Sequence, residues 1–348
     1  MIVPYFDEKS RVPAWLAGAL IAWLPPWRRR LEEPIRRLLI VRPDRRVGNQ
    51  IITSALVGAL VDQRPEVEVH YLAPAGQRGL IEGLPGVVKV HALPRHPARH
   101  PLALWRLLRQ LRAQRFDVAV DASHWHSFSL TAALLTRASG ARWCIGHLRP
   151  GAAALLDQWV PTSTEQGWPQ ELATKVSLLA PLGVRCAAPR MRVLPSARYD
   201  VATQGWAKRA ERGRRVVLWP TTRKASTCIS VGDWLPVLQQ LSLPHGAAIA
   251  VGWGPGEEGL AARLVETLEG AGFDAFAMPP TTIAELGDWM AQADLVISGD
   301  TGPLHLAGAV CDQVMGIFRR SDGRRWLPPG ERHRGYVLSP EGELEEIN

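Results

Sequence analysis

Short apolar runs of strand length alternate with longer amphipathic stretches twice along the chain, and this alternation limits the fold more than any other feature. In the first series the runs 38–41, 67–72, 87–90 and 117–121 read as strands. Between them, 51–60 is apolar at helical spacing. The stretch 102–115 puts Leu104, Leu107, Leu108 and Leu111 along one side, with Arg106, Arg109 and Arg112 elsewhere around the helix. The second series has strands at 215–219, 247–251, 294–298 and 314–318, and helices at 234–241, 257–271, 283–290 and 304–310. Strand, helix, strand in succession requires a mainly parallel sheet, because each parallel return needs a crossover. A break rich in Pro, Arg and small residues, 181–212, separates the series. The expectation is an α/β chain of two Rossmann-like, doubly wound domains facing a cleft, over 38–190 and 191–348. Ligands in such sheets sit at the carboxyl ends of the strands.

Residues 1–37 stand apart. An apolar stretch with two tryptophans, 15–24, is closed by Pro25-Pro26 and followed by Arg28-Arg29-Arg30 and Arg36-Arg37. A secretory signal would carry its charge before the apolar segment, and here most of it comes after. Two readings stay open: a segment lying in a membrane interface, or a helix packed on the first domain. No apolar run reaches the roughly 18–20 residues of a membrane-spanning helix. The four cysteines, at 144, 186, 228 and 311, form no CxxC pair, which excludes a zinc ribbon and favours a reducing compartment. Lys and Arg number 41 against 33 Asp and Glu, a net charge of +8. That balance favours anionic partners. Its spread along the chain, without any nucleic-acid module, argues against DNA or RNA.

Three strand-to-helix turns in the second half together suit a nucleotide. The sharpest is Asp300-Thr301-Gly302-Pro303-Leu304-His305, where a helix begins and its free N–H groups attract negative charge. An ordinary helix cap on Asp300 or Thr301 is the competing reading. Thr221-Thr222-Arg223-Lys224 offers two hydroxyls and two cations after a strand, suited to phosphate oxygens or to solvent. In the loop 252–258 a carboxylate can take ribose hydroxyls or merely favour the helix start. In the first half, the turn 42–50 contains Asp44, Gly48 and Asn49, with too few glycines for a dinucleotide fingerprint. His124 and His126, two apart and without a third ligand, are weak evidence for a metal.

These residues together resemble glycosyltransferase family 9, the bacterial lipopolysaccharide heptosyltransferases, over about 38–330. The segment 300–307 is similar to that family's most specific motif, Thr221-Thr222-Arg223 to its phosphate loop, and Trp253-Gly254 through Glu258 to its Trp-Gly-x-x-x-Glu element. The segments 283–286, 293–298, 116–121 and 140–146 fit as well. The resemblance implies the GT-B architecture and an inverting, metal-independent transfer without a cofactor. A sugar, typically heptose from ADP-heptose, would pass to a lipopolysaccharide-core or other glycan acceptor at the cytoplasmic face of the inner membrane. Carried over, Thr221, Thr222, Asp300, Thr301, Gly302 and His305 would hold the diphosphate and Glu258 the ribose. Arg223, Lys224 and Pro303 belong to the same donor side.

Two positions depart from the family pattern. The family's Gly-Asp element, whose Asp is the usual base, reads Gly48-Asn49 here, and an amide is no base at neutral pH. A family Lys is replaced by the stretch 226–230, with Lys224 lying a few positions early. Asp44, Asp121, His124 and His126 are the remaining candidates for the base, Asp44 first because it shares the loop. Asp121, His124, Arg106 and Arg109 would face an anionic glycolipid acceptor, with Arg95, Arg99 and Arg115 adding to the basic helix face. The alternative is a catalytically silent relative that binds a nucleotide sugar or glycan.

Overall fold

The computed structural model describes residues 31, 33–149, 155–162, 169–196, 199–207, 213–222, 225–243 and 246–347. The apolar and basic segment ending at Arg30, and the pair Arg223 and Lys224, lie outside them. The chain divides into two compact units, Met1–Arg190 and Met191–Asn348.

The first unit contains β1 (Arg37–Val41), α1 (Val47–Gln63), β2 (Glu68–Pro74), α2 (Arg78–Ile81), β3 (Val87–Leu93), α3 (Pro101–Ala113), β4 (Val118–Asp121), α4 (Leu130–Ala138), β5 (Trp143–His147), β6 (Gln158–Val160) and α5 (Glu171–Ser177). Its six strands are all parallel, in the order β3-β2-β1-β4-β5-β6. β1 is apolar and buried from Leu38 to Val41, as a strand covered on both faces requires. Pro101 starts α3 where a missing N–H costs nothing, and Leu107 and Leu111 fix the helix to a core containing Leu93, Phe116 and Ala119. The winding direction reverses between β1 and β4, and the turns after these two strands therefore lie side by side.

The second unit contains α6 (Tyr199–Ala207), β7 (Arg215–Trp219), α7 (Val231–Gln240), β8 (Ala248–Val251), α8 (Glu258–Gly270), β9 (Asp274–Ala277), α9 (Ile283–Ala291), β10 (Leu295–Gly299), α10 (Gly302–Val310), β11 (Val314–Phe318), α11 (Gly323–Trp326), β12 (Arg334–Leu338) and β13 (Leu344–Glu346). The strand order is β13-β12-β11-β10-β7-β8-β9, parallel except for the last hairpin, β12–β13. Trp234, Val237, Leu264 and Leu268 cover one face of the sheet against Leu218, Ile249 and Val251. A reciprocal cap opens α9: Glu285 N donates to Thr282 Oγ1, and Thr282 N donates to Glu285 Oε2. Here the winding reverses between β7 and β10.

Both halves are the doubly wound parallel sheets that the sequence implies. Two helices start in the strand-end turns, where the residues at 48–49 and 301–305 put them, before their apolar periodicity begins. α1 begins at Val47 and α10 at Gly302, ahead of the apolar periodicity that marks them at 51 and 304. A first turn seated on strand-end loops needs no apolar residue. α4, α5, β6 and β9 carry too little period to read in isolation. The tail beyond 330 adds β12 and β13 to the edge of the second unit's own sheet. Among the described residues no helix is long and apolar enough to cross a membrane.

Candidate functional site

In the second unit the turns after β7 and β10 meet at the point where the winding reverses. Thr221 and Thr222 are both buried directly past the end of β7. Trp234, fully buried, donates from Nε1 to Pro220 O at 3.2 Å and so pins this turn to α7. Thr222 Oγ1 lies 3.1 Å from Thr227 Oγ1. A Cβ on Gly299, the last residue of β10, would stand 2.9 Å from Thr222 Cγ2, so only glycine lets the two turns approach this closely. Past Gly299 come Asp300 and Thr301, half-buried, and then α10. Thr301 occupies the cap position of α10, yet its side chain makes no capping bond. The nine-residue helix therefore directs the positive end of its dipole at this turn without a side-chain cap. Gly302 and Pro303 form its first turn, and His305 is buried on the next residues in.

The two adjacent glutamates of the third turn are placed differently. Glu257 Oε2 accepts from Thr221 Oγ1 at 2.7 Å and from Gly254 N at 2.9 Å. Glu258 starts α8 and is exposed. The carboxylate that joins the strand-end turns is thus Glu257. A further group comes from the segment after β11. The His305 ring lies 6.1 Å from that of Trp326, and the buried Arg325 guanidinium stacks on Trp326 at 4.4 Å. Arg319, just past β11, bonds Cys228 O at 3.4 Å and approaches Asp233 Oδ2 at 3.5 Å. Glu257, Arg319, Arg325 and Trp326 were not singled out by motif. Their signal is position alone, each at or soon after a strand's carboxyl end.

In the first unit the turns after β1 and β4 are joined by buried charges. Arg42 is fully buried. Its Nη1 donates to Ala122 O at 2.5 Å, and its Nε stands 2.5 Å from Asp44 Oδ2, a close ion pair whose angle lies outside hydrogen-bond geometry. Asp44 Oδ1 accepts from Asn49 Nδ2 at 2.9 Å and from Arg46 N at 3.1 Å. The Asp44 side chain keeps 36% of its exposure, whereas Asn49 is buried. Gln50 Nε2 donates to the carbonyls of Arg42 and Asp44 and fixes the backbone of the turn.

On its far side Arg42 Nη2 contacts His124 Nε2 at 2.8 Å. A guanidinium only donates, so Nε2 accepts and the ring proton sits on Nδ1, facing Glu171 Oε1. Burial first, and then the Arg42 charge, hold the His124 pKa well below its ordinary value. Glu171, at the start of α5, also meets Lys175 Nζ at 3.2 Å one turn on. Burial pushes the Lys175 ammonium down to about 7 against the pull of Glu171. Asp121 is fully buried and accepts from Ser123 N at 2.9 Å, Ser123 Oγ and Arg149 Nη2. Among the described residues, His124, His126 and Glu171 form the one group whose ligand atoms all come within 4.8 Å. The tautomer that Arg42 imposes gives His124 an N–H toward that group and no lone pair. Of the other acceptor-side candidates, Arg106 and Arg109 are exposed on α3. Glu171 and Lys175 carry a visible i, i+4 spacing in the sequence, but nothing there ties them to residues some fifty positions earlier.

Comparison with known proteins finds relatives of the chain and of its fold. The model of the family described as glycosyltransferase family 9 (heptosyltransferase) matches residues 104–347. Lipopolysaccharide heptosyltransferase 3 of Escherichia coli is 23% identical over 295 residues, covering 81% of this chain and 83% of that protein. The solved glycosyl transferase family 9 structure from Veillonella parvula DSM 2008 superposes with a TM-score of 0.70 at 14% identity, over 87% of this chain and 86% of that one. Escherichia coli heptosyltransferase WaaC, solved with ADP-2-deoxy-2-fluoro heptose, gives 0.64 at 20% identity, over 90% and 96%. At these identities the two structural likenesses speak for the fold.

Proposed function

The chain belongs to glycosyltransferase family 9, the heptosyltransferase family, with the GT-B fold of its structural neighbours, and from that membership we propose that it transfers a heptose from ADP-heptose to a hydroxyl of a lipopolysaccharide core, with Asp44 as the general base. The acceptor O–H gives its proton to Asp44 while the oxygen bonds to the anomeric carbon from the face opposite the diphosphate. The bond from that carbon to the diphosphate oxygen breaks, and its electron pair leaves on ADP. Configuration at the anomeric carbon is inverted.

The second unit would hold the donor. Thr221, Thr222, Thr301 and the α10 start at Gly302 and Pro303 surround a place for the diphosphate, and the helix dipole meets the charge that develops on the leaving group. Asp300, an acceptor only, suits sugar hydroxyls better than phosphate oxygens. Arg223 and Lys224, outside the described residues, would add countercharge, as would Arg319. Trp326 and His305 would flank the bound nucleotide. We assign the ribose hydroxyls to Glu257, which accepts from Thr221 across the two turns, over the exposed Glu258. On the first unit Asp44 supplies the carboxylate that Asn49 lacks, and its exposed edge leaves room for an acceptor hydroxyl. The reading as a silent relative gains no support from any of these observations.

The observation that carries the donor assignment is the meeting of Thr222 and Gly299 at the reversal point under the α10 start. Calorimetric titration with ADP, UDP and GDP tests it. ADP is expected to bind selectively, and Asp300→Ala to weaken ADP-heptose more than ADP. Lipopolysaccharide extracted from a host lacking this gene should gain the mass of one heptose on incubation with ADP-heptose. Absence of nucleotide binding by a folded sample contradicts the reading.

A further inference from the structure

α3 has two faces, and only one is accounted for by the core. Leu104, Leu107, Leu108 and Leu111 pack inward. Two positions earlier, about 200° around the helix at roughly 100° per residue, runs a second stripe of Leu102, Trp105, Arg106 and Arg109. Leu102 is 56% exposed and Trp105 54%. The Arg109 guanidinium lies 5.5 Å from the centre of the Trp105 ring. An ordinary solvated helix face mixes charges of both signs. Residues 83–116 contain no Asp or Glu at all, and they carry Lys89, Arg95, Arg99, Arg106, Arg109, Arg112 and Arg115, every one exposed.

We infer that this face of α3 docks on a bilayer of anionic phospholipid, the helix lying in the plane of the surface. The partner follows from the chemistry. A tryptophan and a leucine at the same level of a helix, edged by arginines, match the boundary between headgroup and acyl chain, where an indole keeps its ring in the apolar layer and its N–H in the polar one. Cations with no acid in the same stretch gain from a negative surface without giving up an ion pair within it. The arginines flank the apolar pair on its own stripe and precede it at Arg95 and Arg99. This deepens the proposed function by giving the surface on which a lipid-linked acceptor would be met, but its readout does not need turnover.

The test is co-sedimentation of the full chain with extruded vesicles, either phosphatidylcholine alone or phosphatidylcholine with one third phosphatidylglycerol. Binding is expected only with phosphatidylglycerol, weakening as NaCl rises from 0.1 to 0.5 M. Leu102→Ser/Trp105→Ser should lower the partition coefficient about tenfold, and Arg95→Glu/Arg99→Glu, which leaves the apolar pair intact, by a similar factor or more. Circular dichroism melting checks that each variant stays folded, and either variant alone suffices for the test. Three results overturn the inference: no binding of the unaltered chain, unchanged binding of the folded variants, which would assign attachment to residues outside α3, or binding only when the vesicles contain lipopolysaccharide, which would assign this face to the acceptor glycan. Vesicle binding without heptose transfer would contradict the transferase reading and leave this one standing.

Discussion

Asn49 donates its amide N–H to Asp44 Oδ1 across 2.9 Å, so the two residues that divide the expected base between them are in direct contact. The position where the family resemblance implies a carboxylate holds an amide, and the carboxylate five residues earlier accepts that amide's hydrogen bond. Asp44→Asn should lower kcat for heptose transfer by about 10²–10⁴-fold, the usual contribution of a general base. In Asp44→Asn/Asn49→Asp the carboxylate returns to the other side of the same hydrogen bond. That double variant should recover at least about tenfold of the loss.

Asn49→Asp alone should move the pH profile. Two carboxylates at hydrogen-bond distance oppose each other's ionisation, which raises the pKa of one of them. The acid limb of kcat/KM is expected to shift to higher pH in Asn49→Asp, measured by ADP release from pH 5 to 9. An unchanged limb would mean that Asp44 does not carry the proton.

Glu257 and Glu258 should separate cleanly. Glu257→Gln loses the charge on the hydrogen bonds to Thr221 and Gly254, and ADP affinity is expected to fall about tenfold or more by calorimetry. Glu258→Gln, on an exposed first turn, should stay within about twofold.

Arg42 ties the β1 turn to the β4 turn. Arg42→Met leaves Asp44 without its ion pair, and its buried partners at Ala122 and His124 lose their donor. A loss of about 3 kcal/mol in unfolding free energy is expected from breaking a buried charge cluster on one side. His124→Phe removes the acceptor of Arg42 Nη2. It should lower kcat while leaving ADP affinity unchanged, because ADP binding is assigned to the other unit.

The first unit should also be sensitive to acid. His70 Nδ1 and His91 Nε2 lie 3.1 Å apart in the core, with both rings edge-on to Phe116. Burial lowers the pKa of His70 and takes that of His91 down to about 4. Both folded values lie below the ordinary histidine value, so the unfolded chain takes up protons first as pH falls. The stability linked to this pair is present above about pH 6.5 and is lost as pH drops toward 4. Tm should fall by about 3 °C or more between pH 7 and pH 5 by calorimetry, and His91→Gln should flatten that slope.

The fold was legible in these residues because its central strands are buried on both faces. Runs such as Val216 to Trp219 and Val314 to Phe318 must be apolar whatever surrounds them, and their spacing alone implies crossovers. The helix start at 300–305 was legible for a related reason: a strand-to-helix turn favours small and polar residues and leaves them as a recognisable string. What was not legible depends on pairing across distance. Nothing local distinguishes Glu257 from Glu258, since one rotation of the turn decides which reaches Thr221. Glu171 meets His124 only because α5 returns to the reversal point between β1 and β4. Arg42 looks like the first polar residue after a strand, and its role as the link between Asp44 and His124 exists only once β4 lies beside β1.

The most direct measurement is the single-turnover rate of heptose transfer by Asp44→Asn, set beside its ADP affinity. The account predicts a fall of at least about a hundredfold in the rate with ADP affinity within about twofold of the unaltered chain. A variant that transfers heptose at the original rate would show that Asp44 is not the base.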